Sequence, residues 1–249
     1  MSDALLRVQG LHKRFGAVVA TRNLSLEVLR GETHALIGPN GAGKSTALAQ
    51  LAGEQRSDAG RIEFAGRDVT HLPGHRRARM GLARSFQVTS IFEAFSVEDN
   101  VALAVQAHEG HSFRFWVPAR DDPDLRERAR HLLDRLGLLP QATTCAANLA
   151  HGEKRQLEVA MALAGRPRLL LLDEPMAGMG PGGTLRMTEL LQALKQEVTI
   201  LLVEHDMDAV FALADRISVL VYGECIATGT PETIRGDPRV RAAYLGEAG

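Results

Sequence analysis

The chain has 249 residues, 45% of them hydrophobic and 24% charged, with a formal net charge of −1. That is enough chain for a well-buried core, built as one large domain or two small ones, and a near-zero charge offers no global field to nucleic acid or anionic lipid. The longest strand-like apolar runs, 169–172 and 198–203, fall far short of the roughly 18 residues that a membrane-spanning helix needs. The opening MSDALLRVQG carries an acid and no long apolar stretch, so no signal peptide is expected and any membrane role is peripheral. Cys145 and Cys225 lie far apart and neither belongs to a C-x-x-C pair, which removes the zinc and redox signatures and makes a reduced cytoplasmic setting the expectation.

Short runs at 5–10, 24–28, 33–37 and 61–64 predict strands, broken by Gly31 and Gly60 and followed by a turn at Gly66. The third run leads directly into residues 38–46, GPNGAGKST, which carry the pattern G-x-x-x-x-G-K-[ST] of a phosphate-binding P-loop. Glycines in such a loop let successive backbone N–H groups converge on a phosphate. An ammonium at Lys44 suits the β- and γ-phosphates, and a hydroxyl at Ser45 suits Mg²⁺. The helix expected from Thr46 onward adds the positive end of its dipole. We assign Gly38, Asn40, Gly41, Gly43, Lys44, Ser45 and Thr46 to binding of a nucleoside triphosphate.

Further on, His71 and His75 stand four apart without a third ligand and read as surface or structural histidines. The run His75, Arg76, Arg77, Arg79 and Arg84 is basic enough for phosphate or lipid contact and reads first as a solvated face. From about 88 to 166 the pattern turns helical. Leu125, Ala129, Leu132, Leu133 and Leu136 recur at helix spacing, and Gly137 ends that helix. Phe113, Phe115 and Trp116 either pack a helical hairpin or present a contact patch. LAHGE at 149–153 precedes an amphipathic helix from 154 to about 164, where Gly152 is either a second anion site at a helix start or a plain turn.

Apolar runs at 169–172, 198–203 and 217–221 predict strands covered on both faces, with helices near 184–196 and 206–214 between them. That alternation implies a parallel sheet with crossover helices. The first run ends in Asp173-Glu174-Pro175. Asp173 can hold Mg²⁺ through water opposite Ser45, and Glu174 can act as general base toward the attacking water. The second run ends in Glu204-His205, where His205 would reach the γ-phosphate from a neighbouring strand end. The fold class expected is α/β. A P-loop NTPase core with a parallel sheet carries an N-terminal antiparallel β subdomain and a helical subdomain inserted at about 88–166, within a single nucleotide-binding domain at 1–249.

The order of P-loop, Gln87 within ARSFQ, LAHGE, LLLLDEP and a strand-end histidine resembles the ATP-binding-cassette family of ATPases over essentially the whole chain. The resemblance implies ATP and Mg²⁺ as ligands, with Glu174, His205 and Gln87 in catalysis and Ser45, Gln87 and Asp173 at the metal. It puts Phe15 against adenine, with a core phenylalanine beside Gly16 as the alternative. It also implies a homodimer, or a heterodimer with a similar subunit, closing head to tail so that Ala150 and Gly152 meet the other subunit's ATP. The usual signature is LSGGQ; here Ala150 lacks the serine hydroxyl, His151 replaces a glycine and Glu153 a glutamine. The segment Met176-Ala177-Gly178-Met179-Gly180 also lacks the aspartate usual in the D-loop, which bears on communication between the two sites.

Within that family, RFGAVVAT, VEDNVALA, EKRQLEVAMAL, VEHDM and the C-terminal GTPETIRGDPRVRAAYLGEA resemble the ATPase subunits of branched-chain amino-acid importers. Importers of urea and short amides share much of this pattern, and lipopolysaccharide-export ATPases some of it. The expected partners are transmembrane permease subunits and, indirectly, a solute-binding protein, at the cytoplasmic face of the inner membrane. Ile91, Phe92 and Phe95 either line a groove for the permease or pack within the helical insertion. A soluble nucleic-acid-handling relative is the rival reading. The chain has no long heptad insertion, a single cassette and almost no net charge, all of which count against it.

Overall fold

The computed structural model describes residues 3–85, 91–109 and 122–245. A long antiparallel hairpin, β1 (Ala4–Phe15) and β2 (Val18–Leu29), opens the fold. Strand β3 (Thr33–Ile37) feeds α1 (Lys44–Ala52), and β4 (Ala59–Phe64) and β5 (Arg67–Asp68) return to the hairpin. Helix α2 (Gly74–Arg79) and the short β6 (Leu82–Arg84) lead to three helices, α3 (Val97–Glu109), α4 (Pro123–Arg135) and α5 (His151–Leu163). Strands and helices then alternate through β7 (Leu169–Asp173), α6 (Pro181–Leu194), β8 (Thr199–Val203), α7 (Met207–Leu213) and β9 (Arg216–Val221). The described chain closes with β10 (Glu224–Gly229), α8 (Pro231–Gly236) and α9 (Pro238–Leu245).

One sheet is antiparallel, in the order β2-β1-β4-β5; the other runs β10-β9-β3-β8-β7-β6. In the second sheet β6, β7, β8, β3 and β9 are mutually parallel and β10 alone is reversed. The class is therefore α/β, as the sequence predicts. Strands β3, β7 and β8 are buried at every position, because their alternate side chains enter different cores. Leu169, Leu171, Leu201 and Val203 pack toward Leu48 and Leu51 of α1 and toward Ile62 and Phe64 of the antiparallel sheet. Leu170, Leu172, Ile200 and Leu202 face the other way, into a core shared with Leu191 of α6 and with Val101 of α3, Leu133 of α4 and Leu157 of α5. Ala35 and Ile37 join Val210, Ile217, Val219 and Ile234 in a third cluster. A fully buried leucine contributes about 1.5–3 kcal/mol, so both faces of β7 and β8 hold the sheet in register.

Helix α5 starts at His151, three residues before the amphipathic pattern becomes visible. The basic run before residue 85 is a solvated face only in part: His75, Arg76 and Arg79 are exposed, whereas Arg77 and Arg84 turn inward. Arg77 is buried, and its guanidinium donates to the carbonyls of Gln50 (2.8 Å) and Leu51 (2.7 Å) at the end of α1, and to those of Leu72 and Thr70. It thereby satisfies carbonyls that a helix C-terminus leaves without partners. Burial lowers its pKa to about 10, which leaves it charged at neutral pH. His71 and His75 are exposed, and among the described residues no cluster of three or more His, Cys, Asp or Glu is arranged to hold a metal. Phe113, Phe115 and Trp116 lie outside the described residues.

A polar pin crosses the core at β3. The fully buried His34 places Nδ1 3.1 Å from Glu32 Oε1 and Nε2 2.8 Å from Ser218 Oγ on β9. Ser218 in turn meets Thr228 Oγ1 at 2.8 Å. The order Ser–His–Glu has the form of a hydrolytic triad, but all three side chains are buried and no substrate reaches them. Its role is to pin β3, β9 and β10 together.

Candidate nucleotide site

The loop between β3 and α1 turns at Gly38 and Gly43, both with positive φ. A Cβ at Gly38 would lie 2.0 Å from the Leu220 carbonyl oxygen, and one at Gly43 the same distance from that of Ala20. Glycine is thus required twice, so that the loop can nest against β2 and β9. Lys44 is buried and folds back across the loop, donating from Nζ to the carbonyls of Gly38 (2.7 Å) and Pro39 (2.9 Å). Asn40 and Gly41 are exposed at the loop's crest. Ser45 and Thr46 sit in the first turn of α1, whose N–H groups and dipole suit an anion.

Sheet order brings Asp173 to this loop. Its carboxylate is fully buried at the end of β7, where Oδ1 accepts from Ser45 Oγ at 3.3 Å and Oδ2 from Arg84 Nη2 at 2.9 Å. Arg84, at the end of the neighbouring β6, also pairs with Glu54 just beyond α1. Ser45 and Asp173 offer two hard oxygens in contact. That suits Mg²⁺, which takes few protein ligands and completes its shell with phosphate and water.

Glu174 follows on a backbone held at φ +49°. This left-handed conformation costs a non-glycine residue about 1–3 kcal/mol. It is fixed by the Glu174 N–H donating to the Val203 carbonyl at 2.9 Å and by the Ala177 N–H donating to the Glu174 carbonyl at 3.1 Å. His205 stands exposed after β8, its Nδ1 3.8 Å from Glu204 Oε2. Glu204 itself is buried. Its two oxygens accept from the backbone N–H groups of Met176 (2.9 Å) and His205 (3.1 Å), tying the loop that carries Glu174 to the loop that carries His205. Burial pushes the Glu204 carboxyl pKa up, against those N–H donors and His205.

Phe15 is not a core residue. It is half exposed at the tip of the β1–β2 hairpin, with Lys13 Nζ 5.3 Å from the ring centroid. Ala150 and Gly152 lie elsewhere, in a cleft of about 640 Å³ shared with residues 178–183 and Arg186, whose lining contains no P-loop residue. Ala150 is the N-cap of α5 and has no side-chain acceptor; only the Glu153 half of a capping box forms, through the Ala150 N–H at 2.9 Å. Gln87 lies outside the described residues. The structure therefore gathers Lys44, Ser45, Asp173 and Glu174 at one sheet edge, beside His205, and sets the signature segment apart.

The sequence profile of the family described as "ABC transporter" matches residues 21–177. The chain belongs to that family. A profile described as "Branched-chain amino acid ATP-binding cassette transporter" matches residues 224–249. The chain is 43% identical to the "High-affinity branched-chain amino acid transport ATP-binding protein LivG" of Salmonella typhimurium, with both chains covered completely. It is 36% identical to the "Lipopolysaccharide export system ATP-binding protein LptB" of Acidithiobacillus ferridurans, over 98% of this chain and 97% of the other. The crystal structure of an ATP-binding cassette of an ABC transporter in its ADP conformation superposes with a TM-score of 0.85 at 28% identity, covering 98% of this chain and 99% of that one. As a cassette of this family the chain is an ATP hydrolase.

Two residues that touch the candidate site escape sequence reasoning. Arg84 reads as part of a basic surface, and Glu204 as the residue before a histidine. In each case a charged residue directly at the end of an apolar strand is the available signal, since such a position faces the carboxyl edge of the sheet.

Proposed function

We propose that this cassette is the ATPase subunit of an importer for branched-chain or related amino acids. The observation that carries the solute class is the profile match at 224–249, together with the full-length 43% identity to LivG. The lower identity to LptB ranks lipopolysaccharide export second.

In this reading Lys44, Ser45 and the N–H groups of residues 41–46 bind the phosphates of ATP, and Phe15 stacks on adenine. Ser45, Asp173 and Gln87 would hold Mg²⁺, which supplies charge neutralisation at the β- and γ-phosphate oxygens. Glu174 takes the proton of the attacking water. His205 steadies the γ-phosphate from the end of β8. Two subunits close head to tail, so that α5 of each, beginning at Ala150 and Gly152, meets the ATP of the other. Hydrolysis reopens the pair.

The permease is proposed to dock on the helical insertion. A cleft of about 440 Å³ between α2 and β6 on one side and α3 and α5 on the other is lined by Ala78, Ala83, Ala104, Ala107 and Met161. Ile91 packs into the insertion's core, whereas Phe92 and Phe95 stack at 5.5 Å on its surface. No helix among the described residues is long and apolar enough to cross a membrane, so attachment would be through the permease at the cytoplasmic face.

The decisive experiment is uptake of labelled leucine and, separately, urea by cells lacking this gene and complemented with wild-type or Glu174→Gln protein. Loss of leucine uptake restored by the wild type alone is expected. Normal leucine uptake in the deletion would remove the assignment.

A further inference from the structure

The turn that leaves Glu174 is held at two consecutive residues by groups of opposite character. From within, the buried Glu204 carboxylate accepts the Met176 N–H at 2.9 Å. From outside, His151 Nε2 lies 3.0 Å from the Ala177 carbonyl oxygen. A carbonyl only accepts, so Nε2 carries the hydrogen. The ring packs closely on the next residue as well: a Cβ at Gly178, where φ is +74°, would lie 3.1 Å from His151 Nε2. The Met179 side chain lies over Gly152, its Sδ 3.9 Å from where a Cβ of that glycine would be. The segment after the catalytic acid is thus folded down onto the first turn of α5.

These two holds differ in how readily they yield. The inner bond belongs to a buried carboxyl group that also fixes the His205 N–H, and releasing it would leave a buried acceptor without its donor. The outer bond is made by an exposed side chain, on the first residue of the helix whose start faces the 640 Å³ cleft. One link further, the Ala177 N–H donates to the carbonyl of Glu174 itself at 3.1 Å. A shift of the start of α5 therefore reaches the backbone of Glu174 through a single side chain and a single turn.

We propose that His151 is a positioning residue that couples engagement of α5 by the partner subunit's nucleotide to the setting of Glu174 in its own subunit. The segment from Met176 to Gly180 contains no aspartate, and the His151–Ala177 clasp supplies a connection within one chain. The inference rests on the head-to-tail reading above, and it makes a distinction that reading does not. A residue that only helped α5 to touch the partner's ATP would, when removed, impair hydrolysis in the partner. A clasp on Ala177 impairs hydrolysis in its own subunit.

Mixed dimers of two differently tagged full-length chains separate the cases. In the first, His151→Phe is placed in the subunit that keeps Glu174, and its partner carries Glu174→Gln. In the second, one chain carries both His151→Phe and Glu174→Gln, and the wild-type partner supplies the remaining base. Phenylalanine keeps the ring and loses the donor. Loss of one neutral hydrogen bond is expected to lower the ATPase rate of the first dimer about two- to tenfold, at unchanged KM for ATP. The second dimer should match a dimer of wild type with plain Glu174→Gln. His151→Gln, whose amide can donate to the same carbonyl, should recover most of the rate in the first arrangement. A deficit confined to the second dimer, equal deficits in both, or no deficit in either overturns the clasp while leaving the head-to-tail dimer standing. Failure of Glu174→Gln chains to dimerise with ATP on size exclusion would overturn the head-to-tail reading and the clasp with it.

Discussion

Arg84 donates to one oxygen of Asp173 at 2.9 Å while Ser45 donates to the other at 3.3 Å, so the carboxylate proposed to hold Mg²⁺ is shared between a strand-end cation and the P-loop helix. Both side chains of the ion pair are nearly inaccessible. Breaking a buried pair from one side leaves the other charge uncompensated.

Arg84→Met keeps the stem and removes the charge. The expected loss of stability is about 3 kcal/mol, the lower end for a broken buried pair because Ser45 still donates. The urea midpoint should fall without a change in slope, and Mg-ADP should recover part of the loss. An unchanged midpoint would mean that the pair contributes nothing to folding.

Lys44→Ala should act on nucleotide affinity. A charge-assisted contact to phosphate is worth about 1.5–3 kcal/mol, or roughly ten- to a hundredfold. Calorimetric titration with Mg-ATP measures it. Equal affinity for mutant and wild type would show that the backbone of the loop holds the phosphates alone.

Ala150→Ser should help in two separable ways. A serine at this N-cap completes the capping box with Glu153, so the nucleotide-free protein should gain about 1 kcal/mol. Any additional contact to the partner's γ-phosphate should appear as a shift toward the ATP-bound dimer in a Glu174→Gln background. Thermal melts without nucleotide, compared with dimer fractions with ATP, resolve the two. A variant no more stable than wild type without nucleotide would deny the cap.

The polar pin at β3 predicts an acid-sensitive contribution to stability. Burial alone would raise the Glu32 pKa, but the His34 hydrogen bond, the Leu29 N–H and Arg216 together hold it below 4.5. Near that pH the unfolded chain binds more protons than the folded one, so stability rises with pH. The contribution is complete above the unfolded pKa of about 4.5 and is lost as pH falls through the lowered folded value. Urea midpoints between about pH 3 and 6 should be less pH-dependent for Glu32→Gln than for wild type. Parallel curves for the two proteins would remove Glu32 from the acid limb.

What was legible in the sequence is what is local. The P-loop, the apolar run ending in Asp173-Glu174, and the period of α4 are each contained within a short window, and the structure places them as read. Arg84 and Asp173 are 89 residues apart, and only the adjacency of β6 and β7 makes them partners. Arg77 was misread for the same reason: its acceptors at 50 and 51 belong to another helix. Strand β6 has three residues, too few for a periodic signal, and is held by pairing with β7 from Leu82 to Arg84. The burial of Glu204 depends on the packing of two loops, which no pattern in VEHDM records.

The left-handed backbone at Glu174 sets two demands on one position against each other. Glycine or asparagine would occupy that conformation at lower cost, yet neither carries a base. A library of this cassette sorted for heat resistance alone should therefore drift at position 174 toward small residues that fold better and hydrolyse nothing. Screens that use yield or melting temperature as a proxy for quality would reward inactive cassettes at the residue proposed as the base.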